Sequence, residues 1–148
     1  MSEQLNAEIQ MFKTEDMDKI LEIEGKAFPK SAYSEEVFAH YARKCPNGFF
    51  VIRVGGAIAG YIMFDKSGHI YSTAIDPEHR RKGLGRMLFN HACRTAKTGL
   101  WLEVRSRNAS AIEFYKGLGM TVVKRIPDYY ETDDALVMAL GEDKPTSS

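Results

Sequence analysis

The run His79-Arg80-Arg81-Lys82-Gly83-Leu84-Gly85-Arg86 constrains the chain more than any other feature, because it puts two glycines and four permanent cations where a strand turns into a helix. The strand before it spans about residues 70–75 and ends in Asp76-Pro77-Glu78, while Leu84, Met87, Leu88, His91, Ala92, Thr95 and Ala96 follow at helical spacing. Strand, glycine bend and helix start, in that order, invite an anion. Glycine admits a ligand to the backbone, and the first N–H groups of a helix are unpaired and carry partial positive charge. A phosphate fits such a loop, with the arginines and lysine raising its local concentration. An exposed basic turn is the plainer reading of the same residues, and the run alone does not separate the two.

Two familiar phosphate loops are excluded. No Gly-Lys-Ser/Thr follows, as a nucleotide hydrolase would need, and Leu88 stands where a dinucleotide fingerprint places its third glycine. With 148 residues the chain can bury about 70% of its unfolded surface and needs no staple. One domain over residues 1–140 and a frayed polar tail over 141–148 are expected. Twenty basic and twenty acidic residues cancel, which argues against a general nucleic-acid or membrane-surface binder and leaves anion attraction to the local cluster. Cys45 and Cys93 lack metal-ligand spacing, and with four scattered histidines no metal site is expected. No basic-then-apolar leader and no apolar run of membrane length is present, so the expected compartment is the cytoplasm.

A short strand over residues 8–12 is followed by Thr14 as a helix N-cap, with Met17, Ile20, Leu21, Ile23, Ala27 and Phe28 along one side until Pro29 stops the helix. Ser34 can cap a second helix, with Glu35 and Glu36 in its first turn. Strands over 49–54, 58–64 and 70–75 are joined by tight turns, Gly55-Gly56 being the clearest hairpin. Gly99 leads into a strand over 100–104. Asn108 or Ser110 starts a further helix that ends at Gly119, and strands over 121–126 and 134–140 are split by residues 127–133. The order β-α-α-β-β-β-α-β-α-β-β predicts an α/β (α+β) domain: a mixed, mostly antiparallel sheet of about seven strands flanked by about four helices.

In that order, the second half resembles the GNAT superfamily of acetyl-CoA-dependent N-acetyltransferases. Arg80-Arg81-Lys82-Gly83-Leu84-Gly85 fits that superfamily's Gln/Arg-x-x-Gly-x-Gly/Ala pyrophosphate loop, after a strand ending Thr73-Ala74-Ile75-Asp76-Pro77. Leu102-Glu103-Val104-Arg105 with Asn108, Ala111, Tyr115 and Gly119, and Asp128-Tyr129-Tyr130 followed by Asp134-Ala135-Leu136-Val137-Met138, are similar to the branch that acetylates protein N-terminal amines, the RimI-like ribosomal-protein alanine N-acetyltransferases and their archaeal relatives. The resemblance implies acetyl-CoA as co-substrate and no metal. It further implies that Arg80, Arg81, Lys82, Gly83, Leu84, Gly85 and Arg86 hold the pyrophosphate, that backbone N–H groups near Thr73, Ala74 and Ile75 hold pantetheine on an edge left open by splaying strands, and that Asn108 and Tyr115 also touch the cofactor. Each motif residue has a plain alternative: Glu103 as a solvated strand carboxylate, Tyr115 as helix packing, Asn108 as an N-cap. Alternation does put Trp101, Glu103 and Arg105 on one face and Leu102 and Val104 on the other, so Glu103 can face a groove.

Acetyl transfer from a thioester to an amine needs a neutral nitrogen, a polarised carbonyl and a protonated leaving sulfur. Glu103 is the candidate general base, directly or through water, and Tyr115 the candidate acid. Backbone N–H groups near Ala74 and Ile75 would polarise the carbonyl. Attack is direct, with no covalent enzyme intermediate and no role for Cys93. A protein α-amine, with a reference pKa of about 8 against about 10.4 for lysine, is the easier acceptor for one carboxylate to neutralise. The family places Tyr33, Tyr129 and Tyr130 beside the acceptor, with Glu131, Asp133 and Asp134 to attract a cation; a solvated turn explains those carboxylates equally well. Phe28-Pro29-Lys30-Ser31 departs from the branch's usual Phe-Pro-Trp-Ser. A polyamine or amino-acid acceptor therefore stays open, as does a non-catalytic acetyl-CoA-binding module, and the oligomeric state is left undetermined. No nucleic-acid or membrane partner is expected.

Overall fold

The computed structural model describes residues 6–141, so the expected tail lies outside them but for Gly141. Near-continuous apolar runs build the centre. Strands β2 (Phe49–Val54) and β3 (Ala57–Phe64) pair antiparallel, and their side chains divide by parity: Phe49 and Val51 face one way, Phe50 and Ile52 the other. The first face is covered by α1 (Met17–Ala27) and α2 (Glu35–Lys44) through Ile20, Ile23 and Phe38; the second by α3 (Leu84–Ala96) through Leu84, Leu88 and Phe89. Both faces of a central sheet are thus dry, which is why these strands lack polar alternation.

With β1 (Ala7–Met11) and β4 (Ile70–Ile75) the order is β1-β2-β3-β4, all antiparallel. The remaining strands form a second antiparallel sheet, β5-β7-β6, from β5 (Leu100–Arg105), β6 (Thr121–Tyr130) and β7 (Asp133–Leu140). Helix α4 (Ala109–Gly117) connects β5 to β6. The expected single sheet is therefore divided. Its two parts meet at one parallel bridge, His69 to Trp101, at the starts of β4 and β5. Beyond it the two strands belong to different sheets, and the Thr73–Ile75 end of β4 has no partner on that side among the described residues.

Local signals account for most boundaries. Gly55 and Gly56 both take positive φ, 59° and 88°, as a two-residue hairpin requires. Ser34 Oγ accepts from the Val37 N–H at 3.3 Å, and Asn108 Oδ1 from the Ala111 N–H at 3.2 Å. Thr14 does not cap α1. It opens a 3₁₀ turn, Thr14–Asp16, in which the Asp16 carboxylate accepts from the Lys13 N–H at 2.9 Å and pairs with Arg53 of β2 at 2.6 Å. A buried charged acceptor with an arginine partner holds that turn more firmly than a threonine hydroxyl could. The last hairpin is also longer than expected, since β6 runs through Pro127 to Tyr130. Pro127 is accommodated because β6 is an edge strand and the register shifts between Ile126 and Tyr130.

Candidate active site

The basic loop is built from the end of β4. Asp76 is 1% exposed; its N–H donates to the Ala59 carbonyl at 2.7 Å, and its carboxylate accepts from the Glu78 N–H at 3.1 Å and pairs with Lys19 of α1 at 3.2 Å. Burial pushes this carboxyl up, but the Glu78 amide and the Lys19 ammonium outweigh it and leave the group below the usual carboxylate range. After the 3₁₀ turn Pro77–His79, Arg81 takes φ 65° and Gly83, the N-cap of α3, φ 79°. No atom would touch a Cβ on Gly83, so its requirement is conformational. Gly85 differs: a Cβ there would lie 2.8 Å from Phe114 Cζ, so this glycine lets α3 and α4 approach each other.

The loop's other residues divide in the same way. Arg80, Arg81 and Lys82 are solvent-facing or partly so, whereas Leu84 is 1% exposed and offers a ligand only its backbone. Arg86, grouped by sequence with the loop cations, reaches α4 and donates to the Gly117 carbonyl at 3.2 Å. Thr73 Oγ1 donates to the Tyr61 carbonyl at 2.9 Å, which turns that side chain toward β3.

Where the sheets part, a second cluster forms. Leu102 and Val104 of β5 are buried while Trp101, Glu103 and Arg105 occupy the other face, as alternation requires. Glu103 Oε1 lies 2.6 Å from His69 Nε2, a hydrogen bond in which the imidazole N–H donates to the carboxylate. The His69 ring stacks on Trp101 with centroids 3.9 Å apart and 7° between planes, and Tyr71 flanks it at 4.6 Å. The Tyr129 hydroxyl lies beside Glu103: burial first, then that carboxylate, pushes the phenol above its ordinary value. Tyr130 is capped by the Arg105 guanidinium, 4.2 Å above its ring. Tyr33 donates its hydroxyl to the Tyr71 carbonyl at 3.3 Å, and its pKa is pushed up to about 12 by burial first, then by Tyr41, Glu24, Glu103 and Tyr129.

Tyr115 of α4 is pushed up to about 12 by burial first and by Tyr130 second. No hydrogen bond joins its hydroxyl to another of the described residues. Asn108 is engaged as the N-cap of α4. The acidic run is largely spoken for: Asp133 accepts from Ser106 Oγ and the Arg107 N–H, and Asp134 from Arg125 and the Asp128 N–H, so these two carboxylates hold the β6–β7 hairpin rather than stand open to a cation. Both thiols, Cys45 and Cys93, are buried and reduced, and burial pushes them up. Among the described residues no three His, Cys, Asp or Glu side chains gather where a metal could sit, and no helix is long and apolar enough to cross a membrane.

Glu103, Tyr33, Tyr129 and Tyr130, named from sequence, are thus brought together, and Tyr115 stands close to Tyr130. His69, Trp101, Tyr71 and the bracing role of Arg105 were missed. Parity held a signal for them: His69, Tyr71 and Thr73 share one face of the β4 segment, and Trp101, Glu103 and Arg105 one face of β5.

The family model described as Acetyltransferase (GNAT) family matches residues 15–120. An N-alpha-acetyltransferase of Sulfurisphaera tokodaii is 32% identical, over 84% of this chain and 86% of its own length. The [ribosomal protein bS18]-alanine N-acetyltransferase of Escherichia coli strain K12 is 34% identical, over 89% of this chain and 95% of its own. Among solved structures, Ard1 from Thermoplasma volcanium superposes with a TM-score of 0.83 at 26% identity, covering 91% of this chain and 97% of that one.

Proposed function

The chain belongs to the acetyltransferase (GNAT) family, and on that premise we propose that it transfers the acetyl group of acetyl-CoA to the α-amine of a protein or peptide N-terminus. The observation that carries this reading is the Glu103–His69 pair at the opening between β4 and β5, ringed by Tyr33, Tyr129 and Tyr130. Residues for the cofactor fit the group: Gly83 leaves open space at the head of α3, whose leading N–H groups with Arg80, Arg81 and Lys82 suit a pyrophosphate, and the unpaired end of β4 offers backbone N–H groups to pantetheine. Bound acetyl-CoA supplies the acyl group as an activated thioester.

The chain's own residues then do three things. Glu103 takes a proton from the incoming ammonium, directly or through a bridging water, while the His69 N–H on Oε1 and the Tyr129 hydroxyl beside the carboxylate hold it in place. The open edge of β4 polarises the acyl carbonyl. Tyr115 donates its proton toward the departing sulfur and is restored by the second proton the nitrogen sheds as the amide forms; burial raises its pKa to about 12, which keeps it protonated but makes it a weaker acid than the thiol, so the transfer needs the two atoms held close together. An α-ammonium is about 2.5 units more acidic than a lysine ammonium, so a single carboxylate needs about 3 kcal/mol less to neutralise it. The N-alpha-acetyltransferase and alanine N-acetyltransferase relatives support that acceptor class.

A pair of short peptides tests it. One has a free N-terminus beginning with a small residue such as alanine; the other is blocked there and carries an internal lysine. The first should be acetylated on its α-amine and the second react poorly. Tyr130→Ala should raise the apparent peptide KM with less effect on acetyl-CoA affinity. Efficient acetylation of spermidine or free amino acids, with both peptides inert, would overturn the assignment in favour of a small amine.

A further inference from the structure

Glu24, in the second half of α1, is 2% exposed and has no part in the chemistry above. Three donors from three segments converge on it. One oxygen accepts from the Tyr61 hydroxyl of β3 and from Ser72 Oγ of β4 at 2.8 Å; the other accepts from the Tyr33 backbone N–H at 3.0 Å. A carboxylate buried this deeply in an apolar layer is costly, and an apolar side chain of similar size would serve packing as well or better. Its hydrogen bonds tie α1 to β3, to β4 and to Tyr33, so they position these segments as well as stabilise them.

The loop between α1 and α2 is what the third bond controls. Residues 29–32 are exposed, and the Tyr33 amide is where the loop is fastened to the interior. Tyr33 is held at its far end too, where its hydroxyl donates to the Tyr71 carbonyl, and its ring meets Phe38 edge-on at 5.8 Å. Tyr71 in turn flanks His69, the partner of Glu103. We propose that Glu24 is a positioning residue for the acceptor: by fastening the Tyr33 backbone it sets the α1–α2 loop as one wall of the site at Glu103. This inference rests on reading that site as the place where the amine acceptor binds.

Glu24→Met keeps most of the volume and leaves no oxygen to accept from the Tyr33 N–H, whereas the amide of Glu24→Gln could still turn its oxygen to Tyr33 and donate its NH₂ to the Tyr61 and Ser72 hydroxyls. The effect of Glu24→Met is read two ways: by amide hydrogen exchange of residues 30–34, and by the KM for a free-N-terminus peptide beside the affinity for acetyl-CoA. Exchange in the loop should quicken and the peptide KM rise about tenfold, the scale of one hydrogen bond to a charged group, while acetyl-CoA affinity holds within about twofold. Tyr61→Phe removes a donor from the same carboxylate without touching the loop, so it should lower the melting temperature and leave KM unchanged. If Glu24→Met fails to fold, Glu24→Asp carries the same prediction, since it withdraws the carboxylate from the Tyr33 amide. Unchanged loop exchange, unchanged KM, or an equal rise in KM in Tyr61→Phe would overturn the proposal. Wild-type acetylation of the peptide is a separate control. Its failure would count against the acceptor assignment, and loop exchange would still decide the role of Glu24.

Discussion

Glu103 and His69 are separated by 34 positions in the chain and by 2.6 Å in space. That contact, with the Tyr129 hydroxyl beside it, orients a partly buried carboxylate where the two sheets part. The amine must be neutral to attack, so a base matters most where ammonium dominates: Glu103→Gln should lose rate mainly at low pH and recover part of it as pH rises and free amine accumulates. Tyr115→Phe should instead lower kcat by about 100-fold or more across pH while leaving acetyl-CoA affinity nearly intact, because the proton is needed only as the thiol departs. Initial rates from pH 6 to 10 would show both patterns. Wild-type turnover in both variants at every pH would remove these roles.

The turn from β4 into α3 does two jobs with two glycines. Gly83 needs its left-handed φ of 79°, so Gly83→Val should weaken acetyl-CoA binding measured by calorimetry, since a branched Cβ resists that conformation and intrudes on the loop's open side. Gly85→Ala meets only the tip of Phe114, which is 47% exposed and free to swing outward, so its stability loss should stay below about 1 kcal/mol. The same turn hangs on Asp76. Its folded pKa is lowered, so its contribution is present in full above the unfolded value of about 3.9 and is lost as pH falls through the folded one. Asp76→Asn should lower the melting temperature at pH 7, and the gap to wild type should narrow below about pH 4. A gap constant from pH 7 to pH 3 would show that the charge on Asp76 does not hold this turn.

At the scale of the molecule, the proposed chemistry sits where one expected sheet becomes two. Elements fixed by neighbouring residues were legible in the chain: Ser34 and Asn108 as caps, Gly55-Gly56 as a hairpin, Gly119 with φ 99° after α4, and the facing of Glu103 across β5. Features fixed by contacts between distant segments were not. Thr14 lost its cap to Asp16 because Arg53, far along the chain, stabilises the carboxylate. His69 looked like one of four scattered histidines until the β4–β5 bridge set it against Trp101 and Glu103. Asp133 and Asp134 read as open charge because their donors lie on other turns. On the function proposed above, this opening presents a protein α-amine to Glu103. The most direct test is mass spectrometry of cell-extract proteins incubated with the enzyme and isotope-labelled acetyl-CoA. Label should appear on protein N-terminal α-amines and be lost with Tyr115→Phe; label confined to lysine side chains or to small amines would contradict it.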